Sequence, residues 1–170
     1  MSAFFGAGMD DLERTLRWAS TEPAAFVVAL FVVQALILAI HEIGHVLGAR
    51  SQGVTVIEYR LGLGPGIRIG RWGACAVVLG IFPFGGRVTY ARADIPILSR
   101  TLISASGAFS TGAAGAVGLA ALAFGVSGIP AKLFVLGCFL DCMLGLSPLS
   151  SDGRKVADGL WRVVVQREAR

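Results

Sequence analysis

The chain has 170 residues, 55% of them hydrophobic and only 15% charged, with a mean hydropathy of +0.72. That inventory cannot supply a water-soluble surface, so it excludes an ordinary soluble domain and points to lipid as the solvent. The net charge of +4 comes from scattered arginines with no basic run interleaved with aromatics, which excludes a nucleic-acid footprint.

Residues 1–22 mix charge with aromatics and predict a short interfacial helix or a loose tail. Asp10, Asp11, Glu13 and Glu22 precede the first apolar run, so no secretory signal peptide is read and the first span is expected to persist in the mature protein. From Ala24 to Ile40 the only polar side chain is Gln34, and apolar character continues beyond it. This predicts a first membrane span over 24–48, ~37 Å long at helical rise against a hydrocarbon core of about 30 Å.

Residues 51–93 change to short β-favouring runs broken by glycine, namely VTVIEYRLGLG, GIRIG, ACAVVLGIF and GRVTY. They predict a β-rich insert of strands or hairpins at the interface or against the helices, because open sheet edges are not tolerated in hydrocarbon. Within it, IFPFGG suits a tight loop dipping into the membrane beside other protein. A second span over 102–126 is rich in Gly, Ala and Ser, and such small residues place it inside a bundle. A turn over Ser127–Pro130 leads to a third span over 131–149. Residues 153–167 then alternate charge with Val156, Leu160, Trp161 and Val164, as an amphipathic surface helix does.

The expected fold class is therefore an α-helical integral membrane protein: a three-span core bundle with a β-rich cytoplasmic or interfacial insert between spans one and two, all one membrane-embedded domain over 1–170. Residues 50–100 hold seven arginines against two acids, whereas residues 1–23 hold two arginines against four acids. The positive-inside rule then puts residues 50–100 and the C-terminus in the cytoplasm and the N-terminus outside. The three cysteines, Cys75, Cys138 and Cys142, form no CxxC pair and read as small core residues.

The chemistry is concentrated in HEIGH, residues 41–45. Two imidazoles four apart share one helix face, where His41 and His45 can bind a single zinc ion. Glu42 stands where this motif places the general base that takes a proton from a zinc-activated water. Three ionisable side chains adjoining a long apolar run are costly in lipid, and a metal supplies the compensation. A catalytic zinc takes three protein ligands, so one more is required. The candidates are Asp141, Asp152 and the thiols of span three. Asp152, at the cytoplasmic end of that span, matches the depth of His41 and His45 and is the chosen ligand. Asp141 lies deeper and reads as a buried hydrogen-bonding residue.

HEIGHVLGAR on a first core span, a PFGG loop in a β-rich insert and P-x-x-x-D-G at the end of a later span resemble the site-2 protease family of intramembrane metalloproteases over roughly residues 24–160. The resemblance implies one Zn²⁺ held by His41, His45 and Asp152, with Glu42 as catalytic acid/base. It also implies membrane-spanning protein substrates within a lipid bilayer, received as extended chain by Pro83, Phe84, Gly85 and Gly86. The chain departs from the family pattern where Gly145 replaces an asparagine before the motif proline Pro148, and where Gly107, Ala108 and Thr111 stand for a Gly-Pro with a nearby asparagine. Ser147, Ser150 and Ser151 are hydroxyls that could stand in. The expected function is zinc endopeptidase action on transmembrane or membrane-proximal segments; the alternative is a zinc-stabilised scaffold of weak or absent activity that binds partner proteins.

Overall fold

The computed structural model describes residues 2–92 and 94–168, the side chains of 2–9, 11, 83 and 166–168 excepted. In chain order the elements are α1 (Ser2–Thr21), α2 (Pro23–Ser51), β1 (Val56–Trp72), β2 (Cys75–Tyr90), α3 (Ile97–Ala123), α4 (Ile129–Leu146) and α5 (Ser151–Glu168). Three of them, α2, α3 and α4, are long and apolar enough to cross a membrane. Helix α2 is 29 residues long, ~43 Å at helical rise, and carries a proline at its start where the missing N–H costs nothing. Its first half leaves Val27, Val28, Leu30, Phe31 and Val32 exposed, and its second half buries His41, Glu42, His45, Val46 and Ala49.

The predicted spans are present with shifted ends. The second starts at Ile97 rather than 102, directly after Pro96, and admits Arg100 into its first turns. It ends at Ala123 rather than 126, because Gly125 takes a positive φ of 95° that breaks the helix. The third ends at Leu146 rather than 149, since Pro148 disfavours helical geometry at Ser147, whose ψ is 150°. One consequence corrects the sequence reading: Asp152 does not close the third span but lies in the first turn of α5. Ser150 caps that helix, its Oγ accepting the Gly153 N–H at 2.8 Å.

Helix α3 packs against α2, α4 and α5, and small residues allow it. A Cβ on Gly44 or Gly48 of α2 would collide with Ser106 or Ser110 of α3, and one on Gly118 with Val135 of α4. Val33, Ile37 and Cys138 form the apolar contact of α2 with α4, flanked by Ala114 and Phe134. A second cluster joins the C-terminal part of α2 to the insert and α3, through Val46, Ala49, Val54, Val56, Tyr59, Cys75, Ile95 and Ile103. Cys75 and Cys138 are thus core residues, as expected.

The insert is one long, bent antiparallel hairpin closed at Trp72 and Cys75. Residues 58–61 of β1 are partnered both by 86–89 and by 76–79 of β2, so this stretch sits inside the ribbon while residues 86–90 form a border of it. The PFGG segment, expected as a tight loop, belongs to β2 and bends it, with Gly85 at φ 70°. Phe84 meets Phe31 of α2 with ring centroids 5.8 Å apart, so the segment does lie beside the first span. Tyr59 donates to the Ala39 carbonyl at 3.2 Å, and Arg50 lies 4.1 Å over the Trp72 ring; both fasten the hairpin to α2.

Candidate metal centre

The geometry begins with helical spacing. His41 and His45 project from one face of α2 with ring centroids 4.8 Å apart, and both are buried. Each ring is held through Nδ1. His45 Nδ1 lies 2.7 Å from the Ile103 carbonyl of α3, and a carbonyl only accepts, so this nitrogen carries the proton and Nε2 keeps its lone pair. His41 Nδ1 lies 2.6 Å from Asp141 Oδ2 of α4, which orients it in the same sense. That oxygen also accepts from Thr111 Oγ1 at 3.0 Å, in the fully buried interior of α3. Asp141 is therefore the hydrogen-bonding residue that its depth suggested, though only partly buried, with 31% of its side chain exposed, and such a carboxylate–histidine pair is the usual outer support of a metal ligand.

Both Nε2 atoms face Asp152. Its Oδ2 lies 3.2 Å from His45 Nε2 and 3.7 Å from His41 Nε2. One ligand atom from each of the three residues falls within 4.8 Å of the others. Two imidazoles with free Nε2 lone pairs and one anionic oxygen are a donor set that suits zinc, and no thiol approaches it among the described residues.

Two further features fit a metal here. Glu42 is buried, and its Oε2 has no hydrogen-bond partner among the described residues, an arrangement that costs energy unless something polar completes it. Gly107 of α3 floors the pair of imidazoles: a Cβ there would lie 2.6 Å from Nε2 of both His41 and His45. Sequence reasoning noticed Gly107 only as part of a departure from a motif and missed its spatial role.

Glu42, His45 and Asp152 line a cavity of about 540 Å³, together with Gly86, Arg87, Val88 and Tyr90 of β2 and with Arg100 and Lys155. Gly86 approaches Glu42 so closely that a Cβ would lie 2.6 Å from its Oε1, so any side chain there would have to displace the Glu42 carboxyl. Of the four candidate substrate-binding residues, Gly86 alone lines the cavity; Phe84 packs on Phe31, and the Pro83 side chain lies outside the described part. Gly145 lies against the site without a side chain, its Cβ position 3.4 Å from His41 Cε1. Among the hydroxyls considered as stand-ins, Ser147 donates to Leu144 O and Ser150 to Gly145 O, so both are taken up by helix ends. Only Ser151 lines the cavity.

Comparison with known proteins agrees with this geometry. A stretch of 69 residues, 41% of this chain, is 40% identical to a protein of Chlamydia trachomatis serovar D, and 68 residues are 35% identical to one of Nostoc sp. strain PCC 7120; both carry the name "Putative zinc metalloprotease". The matched stretches span 11% and 19% of those relatives. Residues 25–166 match peptidase family M50. With that match extending over most of its length and with its histidines, acids and three apolar helices arranged as described, the chain belongs to peptidase family M50, the site-2 protease family.

Proposed function

We propose that the chain is an intramembrane zinc endopeptidase that cleaves transmembrane or membrane-proximal segments of client proteins. The observation that carries this reading is the convergence of His41, His45 and Asp152 ligand atoms within 4.8 Å, on a cavity shared with the buried Glu42 whose Oε2 lacks a partner. Bound by these three side chains, zinc would act as a Lewis acid on the scissile carbonyl and acidify a water to near neutral pH. Glu42 Oε2 takes the proton from the attacking water and passes it to the departing amine nitrogen. Asp141 and the Ile103 carbonyl keep the imidazoles in one tautomer and orientation throughout.

A client helix hides its peptide bonds in internal hydrogen bonds and must unwind to be cut. Residues 86–90 border the ribbon and reach the cavity through Gly86, Arg87, Val88 and Tyr90, so an unwound client can add to them as a strand, with Pro83–Gly86 as its entry. The three apolar helices cross the bilayer with the N-terminus outside and with residues 50–100 and the C-terminus in the cytoplasm, which puts the cavity near the cytoplasmic face.

The test is Glu42→Gln in the full chain with a single-span client in liposomes. The variant keeps stoichiometric zinc and loses about 10²- to 10⁴-fold in cleavage rate. Cleavage at the wild-type rate would remove Glu42 from its role. A scaffold of weak activity is favoured by Gly145, which offers no side chain beside His41 where the family has an asparagine. Wild-type protein that retains zinc but never turns over clients would select that alternative.

A further inference from the structure

The two oxygens of Asp152 are engaged in opposite directions. Oδ2 faces the imidazoles, 3.2 Å from His45 Nε2 and 3.7 Å from His41 Nε2, whereas Oδ1 accepts a hydrogen bond from Lys155 Nζ at 3.0 Å. Lys155 stands three residues on, one turn along α5, with its side chain about half exposed and reaching the same cavity. As a source of stability such an exposed pair counts for little. Its position, however, bears on coordination. A carboxylate beside a divalent ion can offer one oxygen or both, and an ammonium seated on one of them draws its charge and directs it away from the ion.

We propose that Lys155 is a positioning residue that restricts Asp152 to a single ligating oxygen, Oδ2. The centre is thereby held at three protein donor atoms, and a position stays open for water and the client carbonyl. This inference rests on the zinc reading above and adds to it a determinant outside the HEIGH and P-x-x-x-D-G motifs. The helical register of α5 creates the arrangement: with Asp152 in the first turn, residue 155 falls on the same face.

The experiment compares the full chain in detergent as wild type, Lys155→Met, Lys155→Gln and Lys155→Arg, each loaded with Co²⁺ for visible absorption and with Zn²⁺ for affinity by chelator competition. In Lys155→Met and Lys155→Gln the visible d–d bands weaken severalfold, as a second oxygen of Asp152 joins the ion and coordination expands beyond four. Their zinc affinity rises on the order of tenfold, because a solvent-screened cation one carboxylate away from a dication has been removed. The kcat on a single-span client falls while KM stays, and Lys155→Arg retains the wild-type spectrum. Neutral variants that keep the wild-type Co²⁺ spectrum, or that bind zinc more weakly as loss of a merely structural pair would make them, overturn the assignment of Lys155 alone. Wild-type protein that takes up neither metal overturns the zinc reading and this inference together.

Discussion

Gly107→Ala adds one methyl group at the point where the metal centre has least room. The new Cβ would lie 2.6 Å from both imidazole Nε2 atoms and 2.7 Å from His45 Cε1. Non-bonded contacts of this kind settle near 3.5 Å, so each ring must retreat by about 1 Å. Metal–ligand distances tolerate only ~0.2 Å, and the required retreat is about five times that. The rings cannot slide sideways at no cost, since Nδ1 of each is already bonded, to Asp141 at 2.6 Å and to Ile103 O at 2.7 Å. Zinc affinity should therefore drop by at least about 100-fold, the upper end of what loss of an outer support produces, or ~2.7 kcal/mol. The helix itself should survive, because alanine gains about 1 kcal/mol over glycine in helix propensity, which offsets part of an overpacking cost of about 1–3 kcal/mol. The assay is zinc content after dialysis against a graded series of chelator, read beside circular dichroism of the same samples. A Gly107→Ala protein that is fully helical and holds zinc as tightly as wild type would refute the placement of the metal between these rings.

Two other outcomes follow from the same geometry. Asp141→Ala removes the oxygen that orients His41 and leaves Thr111 Oγ1 with only the Ala108 carbonyl, so zinc affinity should fall about 10- to 100-fold while Glu42 and the cavity stay in place; competition with a chelator measures this. Alkaline titration reads the insert, because the two tyrosines of the chain, Tyr59 and Tyr90, both lie there. Burial raises both phenols, and Asp152 and Glu42 add to it for Tyr90, which is pushed up to about 12. A raised phenol favours the neutral form in the fold, so its contribution to stability is complete below the unfolded value near 10 and is lost as pH climbs through about 12. Tyrosinate absorbance should stay flat through pH 10 and rise only with that loss; a midpoint near 10 in a folded protein would contradict the burial of Tyr59 and the partial burial of Tyr90.

Much of the site could be read along the chain because it depends on short spacings. HEIGH needs only the helical period to put two imidazoles on one face, and the apolar run before it forces that helix into the first span. Depth along the helices favoured Asp152 over Asp141, whereas the fold brings both to the histidines, Asp152 from the first turn of α5 with Oδ2 3.2 Å from His45 Nε2 and Asp141 from α4 with Oδ2 2.6 Å from His41 Nδ1. The ends of the spans were less legible. Pro96, Gly125 and Pro148 decided them locally, and hydropathy averaged over a window overlooks single residues of this kind. The PFGG segment was read as a loop because Pro and Gly dominate it, whereas pairing with β1 across the bent ribbon keeps it within β2. Gly145 was taken as a lost side chain; packing shows that a Cβ there would already press on Ala108 and the His41 ring.

By itself the sequence determined that three helices are long and apolar enough to cross a membrane and that His41 and His45 share a helix face beside Glu42, since composition and helical period are properties of a linear chain. Only the tertiary structure decided that Asp152 starts a separate helix with one oxygen on Lys155, that Ile103 O and Asp141 choose the imidazole tautomers, and that Gly107 and Gly86 clear the space around the donors. Those features are distances between helices and strands far apart in the chain, set by how closely small residues let the backbones approach, and local spacing carries no record of such contacts.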